Sequence, residues 1–354
     1  MKLYKLGIIG YGGVAHSHYN SILSHPEQRV VIKGVFDLNP SRQALAEKEG
    51  LVAYESREAL LSDCEIDIVL VSTTNEVHAE ICIDAMRHGK HVLCEKPVTM
   101  NASELKEVMA VSKETGRVFT IDQNRRTNRD FVLMRRHVEA GSIGRPYHIE
   151  SRVEGSRGMP SGWRTLKRLG GGMMLDWGVH LIDQLMYMNR SAVTNVFCKM
   201  YKIDYPEVDD NFHLSLTFAD GLTAFIEVAT NNYITKPRWY VLGTEGTLQI
   251  NDWDCSGEIV RVLDKNNVWE EEIFMTKAGP TKTMAPRCPE SVEHIPLSEP
   301  EDVEDGLHVV YRQLVAAIEG AELTIKPEEA LRVMEVMEAA FESAEKGIAV
   351  SVNI

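Results

Sequence analysis

Apolar, β-branched runs at residues 6–10, 30–36, 66–72, 91–94 and 118–121 alternate with helical patterns near 14–24, 40–50, 77–88 and 102–115. Near-continuous apolar strands separated by helices predict a doubly wound parallel sheet covered on both faces. Gly89 and Gly116 each follow a helical pattern, where a C′ glycine belongs. Asn101 precedes a helix with Glu104 three positions on, a capping-box-like start. Residues 1–123 are assigned to this first domain.

The rhythm changes near residue 145. Residues 147–153 read as a strand and 173–188 as a helix of mixed polarity. Phe212, Leu214, Leu216 and Phe218 alternate with Asn211, His213, Ser215 and Thr217, the pattern of a half-buried antiparallel strand. The turn Ala219-Asp220-Gly221 leads to a partner strand at 222–229, and further strands are predicted at 239–242, 247–250, 258–263 and 271–274. Pro280, Pro286, Pro289, Pro296 and Pro300 mark 276–300 as a long loop with a functional or interface role. Helices at 303–319 and 327–346 close the chain. Residues 124–354 are therefore predicted to form an α+β domain with a mostly antiparallel open sheet, its last helices in position to pack back on the first domain.

Charge narrows the partners. With 38 Lys+Arg against 52 Asp+Glu, the net charge is −14. That excess of acid speaks against nucleic acid and against an anionic membrane surface. No run approaches the ~18 apolar residues of a membrane span. The N-terminal apolar run is short and broken by glycine, so it is not read as a leader. Six scattered cysteines without a C-x-x-C pair predict reduced thiols, a cytoplasmic protein and no metal site. His16 and His18 fall in the first helix, where neighbouring side chains diverge.

The first chemical motif is Gly10-Tyr11-Gly12-Gly13-Val14-Ala15, a G-x-G-x-x-A between a strand and a helix. Gly10 suits the tight turn, Gly12 the approach of a pyrophosphate to the helix N-terminus, and Ala15 close packing. Asp37 ends the second strand, where a carboxylate accepts from ribose hydroxyls and repels a 2′-phosphate. This favours NAD over NADP, although Arg42 lies near enough to receive that phosphate. Asp37 is equally placed to cap the helix at Pro40. Ser72, Thr73, Thr74 and Asn75, with His78, lie at the ligand edge of the next strand and join the cofactor set. The same run serves equally as a helix N-cap.

Glu95-Lys96-Pro97 follows another apolar strand. A partly desolvated Lys96 there can donate to a substrate oxygen; the alternative is a solvated lysine in a turn. Gly170-Gly171-Gly172 runs into a helix carrying Asp176 and His180 at i, i+4, a spacing that lets a carboxylate hold an imidazole as a general base. The alternative is a helix face satisfied by water or structural hydrogen bonds. Asp183 extends that face. Arg125, Arg126, Arg157, Trp163 and Arg164 are candidates for hydrogen bonding and stacking on a sugar ring, and each is equally compatible with an exposed loop. The glycine-rich loop 155–172 is long enough to close over a glycoside.

Together the glycine fingerprint, Glu95-Lys96-Pro97 and the Asp176–His180 helix resemble the glucose–fructose oxidoreductase/inositol dehydrogenase (Gfo/Idh/MocA) family of nicotinamide-dependent oxidoreductases. The resemblance spans nearly the whole chain. It implies a Rossmann domain, an α/β domain whose open sheet mediates a homo-oligomer (dimer or tetramer), and a cleft with Lys96, Asp176 and His180 as the catalytic trio. It places Glu95 near the nicotinamide ribose and implies sugars, cyclitols or their glycosides as substrates. The expected reaction is hydride transfer at a ring carbinol, with His180 or Lys96 as base and Asp176 orienting His180 or binding a neighbouring hydroxyl. A non-catalytic dinucleotide-binding regulator and an NADPH-dependent carbonyl reductase are the competing readings.

Overall fold

The computed structural model describes residues 2–264, 273–282 and 287–354. The first sheet contains β1 (Tyr4–Ile9), β2 (Val30–Phe36), β3 (Val52–Ala53), β4 (Ile68–Val71), β5 (His91–Cys94) and β6 (Phe119–Ile121). Between them run α1 (Gly13–Ser24), α2 (Pro40–Lys48), α3 (Arg57–Ser62), α4 (His78–Arg87) and α5 (Ala102–Thr115). The six strands are parallel, in the order β3-β2-β1-β4-β5-β6. All four residues of β4 are buried, as a strand covered on both faces requires. The chain leaves β1 in one direction and β4 in the other, which opens a crevice at the carboxyl ends of these neighbours. At α5 the Asn101 side chain accepts from the Glu104 amide at 2.9 Å, and Glu104 in turn accepts from the Met100 amide.

After α6 (Arg129–Glu139) the second sheet begins with β7 (Pro146–Glu154), followed by α7 (Val179–Met188), β8 (Val193–Tyr201), β9 (Asn211–Phe218) and β10 (Thr223–Ala229). It continues through β11 (Trp239–Gly243), β12 (Gly246–Ile250) and β13 (Gly257–Val262). A separate hairpin, β14 (Phe274–Thr276) and β15 (Gly279–Thr281), precedes β16 (Val292–Leu297), α8 (Leu307–Ile318), α9 (Pro327–Lys346) and β17 (Val350–Ser351). Nine strands pair in the order β16-β13-β12-β11-β7-β10-β9-β8-β17, antiparallel except for β7 with β10. Phe212, Leu214, Leu216 and Phe218 point into the core, as their alternation predicts.

Several elements differ from the sequence reading. The stretch 276–300 is not one loop: it contains β15 and β16. β16 is an edge strand, where Pro296 costs no ladder hydrogen bond. The strand expected at 271–274 falls partly outside the described residues. Helix α8 starts at Leu307 rather than 303, after Gly306 at φ 130°. The acids before it pair with side chains: Asp302 with Arg136, and Glu304 with Arg312 and His308. Val310, Tyr311, Leu314 and Val315 of α8 share a core with Leu6, Ile8 and Val35 of the first sheet. Among the described residues no helix is long and apolar enough to cross a membrane.

Candidate active site

The crevice over β1 and β4 widens into a cavity of about 840 Å3, lined by Gly10, Gly12, Gly13, Val14, Asp37, Ser72, Thr73, Thr74 and Asn75. Gly10 has φ 89°, and a Cβ there would lie 2.6 Å from the Ser72 carbonyl oxygen. The Ser72 hydroxyl ties the turn by donating to the Gly10 carbonyl at 2.8 Å. A Cβ on Gly12 or Gly13 would meet nothing within 4 Å, so both backbones face open space at the N-terminus of α1. That is a cradle for an anionic pyrophosphate. The Asp37 carboxylate accepts from the amides of Tyr11 at 2.6 Å and Asn39 at 2.7 Å, which fixes it at the rim. Asn39, not Asp37, caps α2. These residues fit a dinucleotide.

Three members of the expected cofactor set lie elsewhere. Ala15 is fully buried, in the packing position expected of the fingerprint's last residue. His78 is buried, with its ring nitrogens 3.0 and 3.2 Å from the Pro97 and Thr73 carbonyls, and supports the crevice wall from behind. Arg42 is on α2 and does not line the cavity.

A second cavity of about 820 Å3 adjoins the first, and Val14, Glu95, Lys96, Arg164 and Asp176 line both. Its other walls bring in Arg125, Arg157, Trp177 and His180. Lys96, whose bond to Pro97 is cis, donates from Nζ to the Asp176 carbonyl at 2.8 Å and to Asp176 Oδ1 at 2.9 Å. Arg164 Nε donates to the other carboxylate oxygen at 2.9 Å. Burial alone would raise the Asp176 pKa, but the Lys96 and Arg164 cations outweigh it and hold the group below the usual carboxylate range. Trp163 lines the first cavity with its indole under the Arg164 guanidinium, 4.5 Å from the ring centroid.

The expected bond between Asp176 and His180 is absent. Residues Met174–Gly178 form a turn of π-helix, so the i, i+4 geometry of an α-helix does not apply between them. Both Asp176 oxygens are occupied by the two cations. His180 is buried, and its Nδ1 has no hydrogen-bond partner. Burial, followed by the nearby charges of Lys96, Arg125 and Arg238, lowers its pKa well below the usual histidine range. It is a neutral imidazole at neutral pH, with the Trp177 ring at its edge.

Arg126 does not reach the site. Its guanidinium forks onto Asp183 at 2.6 and 2.7 Å and also binds Glu329 of α9. Asp183 is therefore half of a buried ion pair rather than part of a polar face. Arg125 does line the cavity, its guanidinium 5.0 Å from the Trp177 ring and 5.8 Å from that of Trp253. Sequence reasoning missed Glu154, Thr230 and the site role of Trp177. The first two lie at the carboxyl ends of β7 and β10, a parallel pair whose ends open on the cavity. The parallel pairing was the missing signal, because local alternation does not reveal it.

Residues 4–123 match the oxidoreductase family with an NAD-binding Rossmann fold, and residues 131–249 match the GFO/IDH/MocA C-terminal domain. The chain is similar to the crystal structure of an NAD-binding protein from Listeria innocua, with 41% identity, a TM-score of 0.93, and coverage of 99% of this chain and 100% of that one. It is 33% identical to 1,5-anhydro-D-fructose reductase of Ensifer adhaerens over 54% of this chain and 59% of that protein. It is 26% identical to scyllo-inositol 2-dehydrogenase (NADP(+)) of Bacillus subtilis over 97% and 94%. The chain spans 55% and 59% of the length of two curated relatives more than 30% identical to it. With both halves matched and a fingerprint crevice built as that fold requires, the chain belongs to the GFO/IDH/MocA family of oxidoreductases.

Proposed function

We propose that the protein oxidises a ring hydroxyl, or reduces the corresponding ketone, of a sugar, cyclitol or glycoside with NAD(H). The observation that carries this reading is the junction of the two cavities, where Lys96 and Asp176 line both and His180 lines the second. When bound, a nicotinamide supplies or accepts the hydride. An ammonium has three N–H donors. Asp176 takes two of those of Lys96, which leaves one for a substrate oxygen and holds the charge where alkoxide character develops. His180, neutral and beside the same cavity, takes the hydroxyl proton at Nε2, since Nδ1 is sealed off. Asp176 orients Lys96 rather than His180.

Asp37 supports NAD over NADP, because its fixed carboxylate repels a 2′-phosphate. The NADP(+) named for the Bacillus subtilis relative is the counterweight, and the Asp37 test below decides between them. Gly155, Ser156, Arg157 and Gly158 on the second cavity's rim leave room for more than one ring, which supports glycosides alongside free sugars. The open face of the second sheet supports a homo-oligomer: Phe197, Ser215, Phe225 and Glu150 lie side by side on it, with Phe197 43% exposed. The same face carries charge: Lys199 and Glu227 flank His213 in register, and Arg152 lies beyond Glu227.

The test is a panel of cyclitols, free sugars and aryl glycosides offered with NAD and NADP separately, following reduced-cofactor absorbance. Turnover on at least one ring polyol is expected. Cofactor binding without turnover on any would favour the regulator instead.

A further inference from the structure

Four buried groups from four elements meet at Glu95, which follows β5. Asp122 follows β6, His18 lies on α1 and Tyr311 on α8. The Tyr311 hydroxyl is 2.8 Å from His18 Nδ1. His18 Nε2 is 2.8 Å from Glu95 Oε1 and 3.5 Å from Asp122 Oδ2. The Glu95 and Asp122 carboxyl groups lie side by side at the ring, each offering an oxygen within 4.8 Å of the other. Of this group, Glu95 belongs to the Glu95-Lys96-Pro97 motif, and His18 to the first helix, where its side chain diverges from that of His16.

The protons can be assigned by counting. Among the described contacts the Tyr311 hydroxyl has no acceptor other than His18 Nδ1, so Nδ1 accepts and Nε2 carries the ring proton towards Glu95. Two buried carboxyls in contact do not both ionise, so one proton is shared between them. Asp122 keeps it. Burial and the adjacent Glu95 push its pKa well above the ordinary value. Glu95 is opposed by burial as well, but His18 and Lys96 hold it below the usual range. His18, Glu95 and Asp122 also have the composition of a cation site. With the proton on Asp122, the result is one fixed negative charge.

That charge sits at a consequential place. The first cavity runs from Asp37, past the open amides at the start of α1, to Glu95 and Lys96. With the adenosine ribose at Asp37 and the pyrophosphate at α1, the pyridine end of a dinucleotide falls towards Glu95. We propose that Glu95 poises the bound cofactor: a single carboxylate, oriented by His18 and kept single by the proton on Asp122, favours the cationic oxidised nicotinamide over the neutral reduced form. His18, Asp122 and Tyr311 are positioning residues. This inference rests on the dinucleotide reading above.

The test compares dissociation constants of NAD+ and NADH, each measured separately by fluorescence titration. Glu95→Gln should shift their ratio against NAD+ by about tenfold or more, a change of about 30 mV in the potential of the bound two-electron couple. Asp122→Asn should leave the ratio within about twofold, because the amide keeps the donor of the protonated carboxyl. Parallel weakening of both forms by Glu95→Gln would overturn the proposal, as would a shift in Asp122→Asn as large as that in Glu95→Gln. Infrared spectroscopy of the cofactor-free protein provides an independent check. A protonated-carboxyl band at neutral pH that is lost in Asp122→Asn is expected, and its absence would overturn the shared proton while leaving the cofactor reading intact. A wild type that binds neither nucleotide would instead overturn the cofactor reading itself.

Discussion

Lys96 Nζ donates to both the main-chain carbonyl and the carboxylate of Asp176, at 2.8 and 2.9 Å. The first residue follows a strand of the parallel sheet and the second lies in the π-turn before α7, so one pair of hydrogen bonds fixes the wall between the two cavities. Replacing Lys96 by Met keeps the stem and removes the charge. Turnover should fall by at least about 10²-fold, the scale of losing one donor to a developing oxyanion. NAD affinity, which the proposed reading assigns to the glycine turn and Asp37, should change little. Equilibrium binding alongside steady-state rates checks this, and a large loss of NAD affinity would contradict the assignment.

The environment of His180 predicts the pH profile. A base must be unprotonated to act, and burial together with Lys96, Arg125 and Arg238 holds this imidazole well below the ordinary histidine value of 6.5. The acid limb of kcat/KM for alcohol oxidation should therefore lie below pH 6.5. Arg125→Gln removes one of the opposing cations, so the limb should move to higher pH. A limb that stays in place would mean that another group is titrating.

The buried fork between Arg126 and Asp183 separates a structural arginine from a binding one. Arg126→Met strands Asp183, which is 2% exposed, without its partner. Loss of one member of a buried pair costs about 3–5 kcal/mol. A pronounced drop in Tm with little change in KM is the expected result. A KM effect without destabilisation would restore Arg126 to the substrate site.

In the proposed reading Asp37 selects the cofactor. Asp37→Ala removes the rim carboxylate and leaves the Tyr11 and Asn39 amides open to a 2′-phosphate. The ratio of kcat/KM for NAD to that for NADP should fall, and an unchanged ratio would remove the electrostatic ground for choosing NAD.

Legibility in the sequence followed the range of the interactions. Gly10 and the Asn101–Glu104 cap were readable because each is settled within a few residues, by a positive φ or by a side chain reaching its own helix. β9 was readable because one buried face imposes strict alternation. The Asp176–His180 pairing failed because a π-turn changes the angular step, and nothing in a Gly-Gly-Gly-Met-Met start encodes that turn locally. Arg126 was misread because its partners lie 57 and 203 positions away. Tyr311 and His18 are 293 positions apart and become neighbours only when α8 packs on the first sheet.

The start of the Asp176 helix carries its own pH dependence. Asp209 Oδ2 accepts from the Met174 amide at 2.7 Å, and a Cβ on Gly172 would lie 2.3 Å from Asp209 Oδ1. Burial pushes the Asp209 carboxyl up from 3.8 to about 7. Because the folded value exceeds the unfolded one, its contribution to stability is fully present below about pH 4 and is lost as pH rises through about 7. Asp209→Asn keeps an oxygen acceptor for Met174 and cannot ionise, so it removes that loss. Above pH 7 the variant should be more stable than the wild type by about 1–3 kcal/mol, while below pH 4 the advantage disappears. Denaturant unfolding at pH 4 and pH 8 measures both. An equal difference at the two pH values would mean that Asp209 is already ionised throughout. Gly172→Ala, with φ at 108° and no space for the methyl, should destabilise the protein at both.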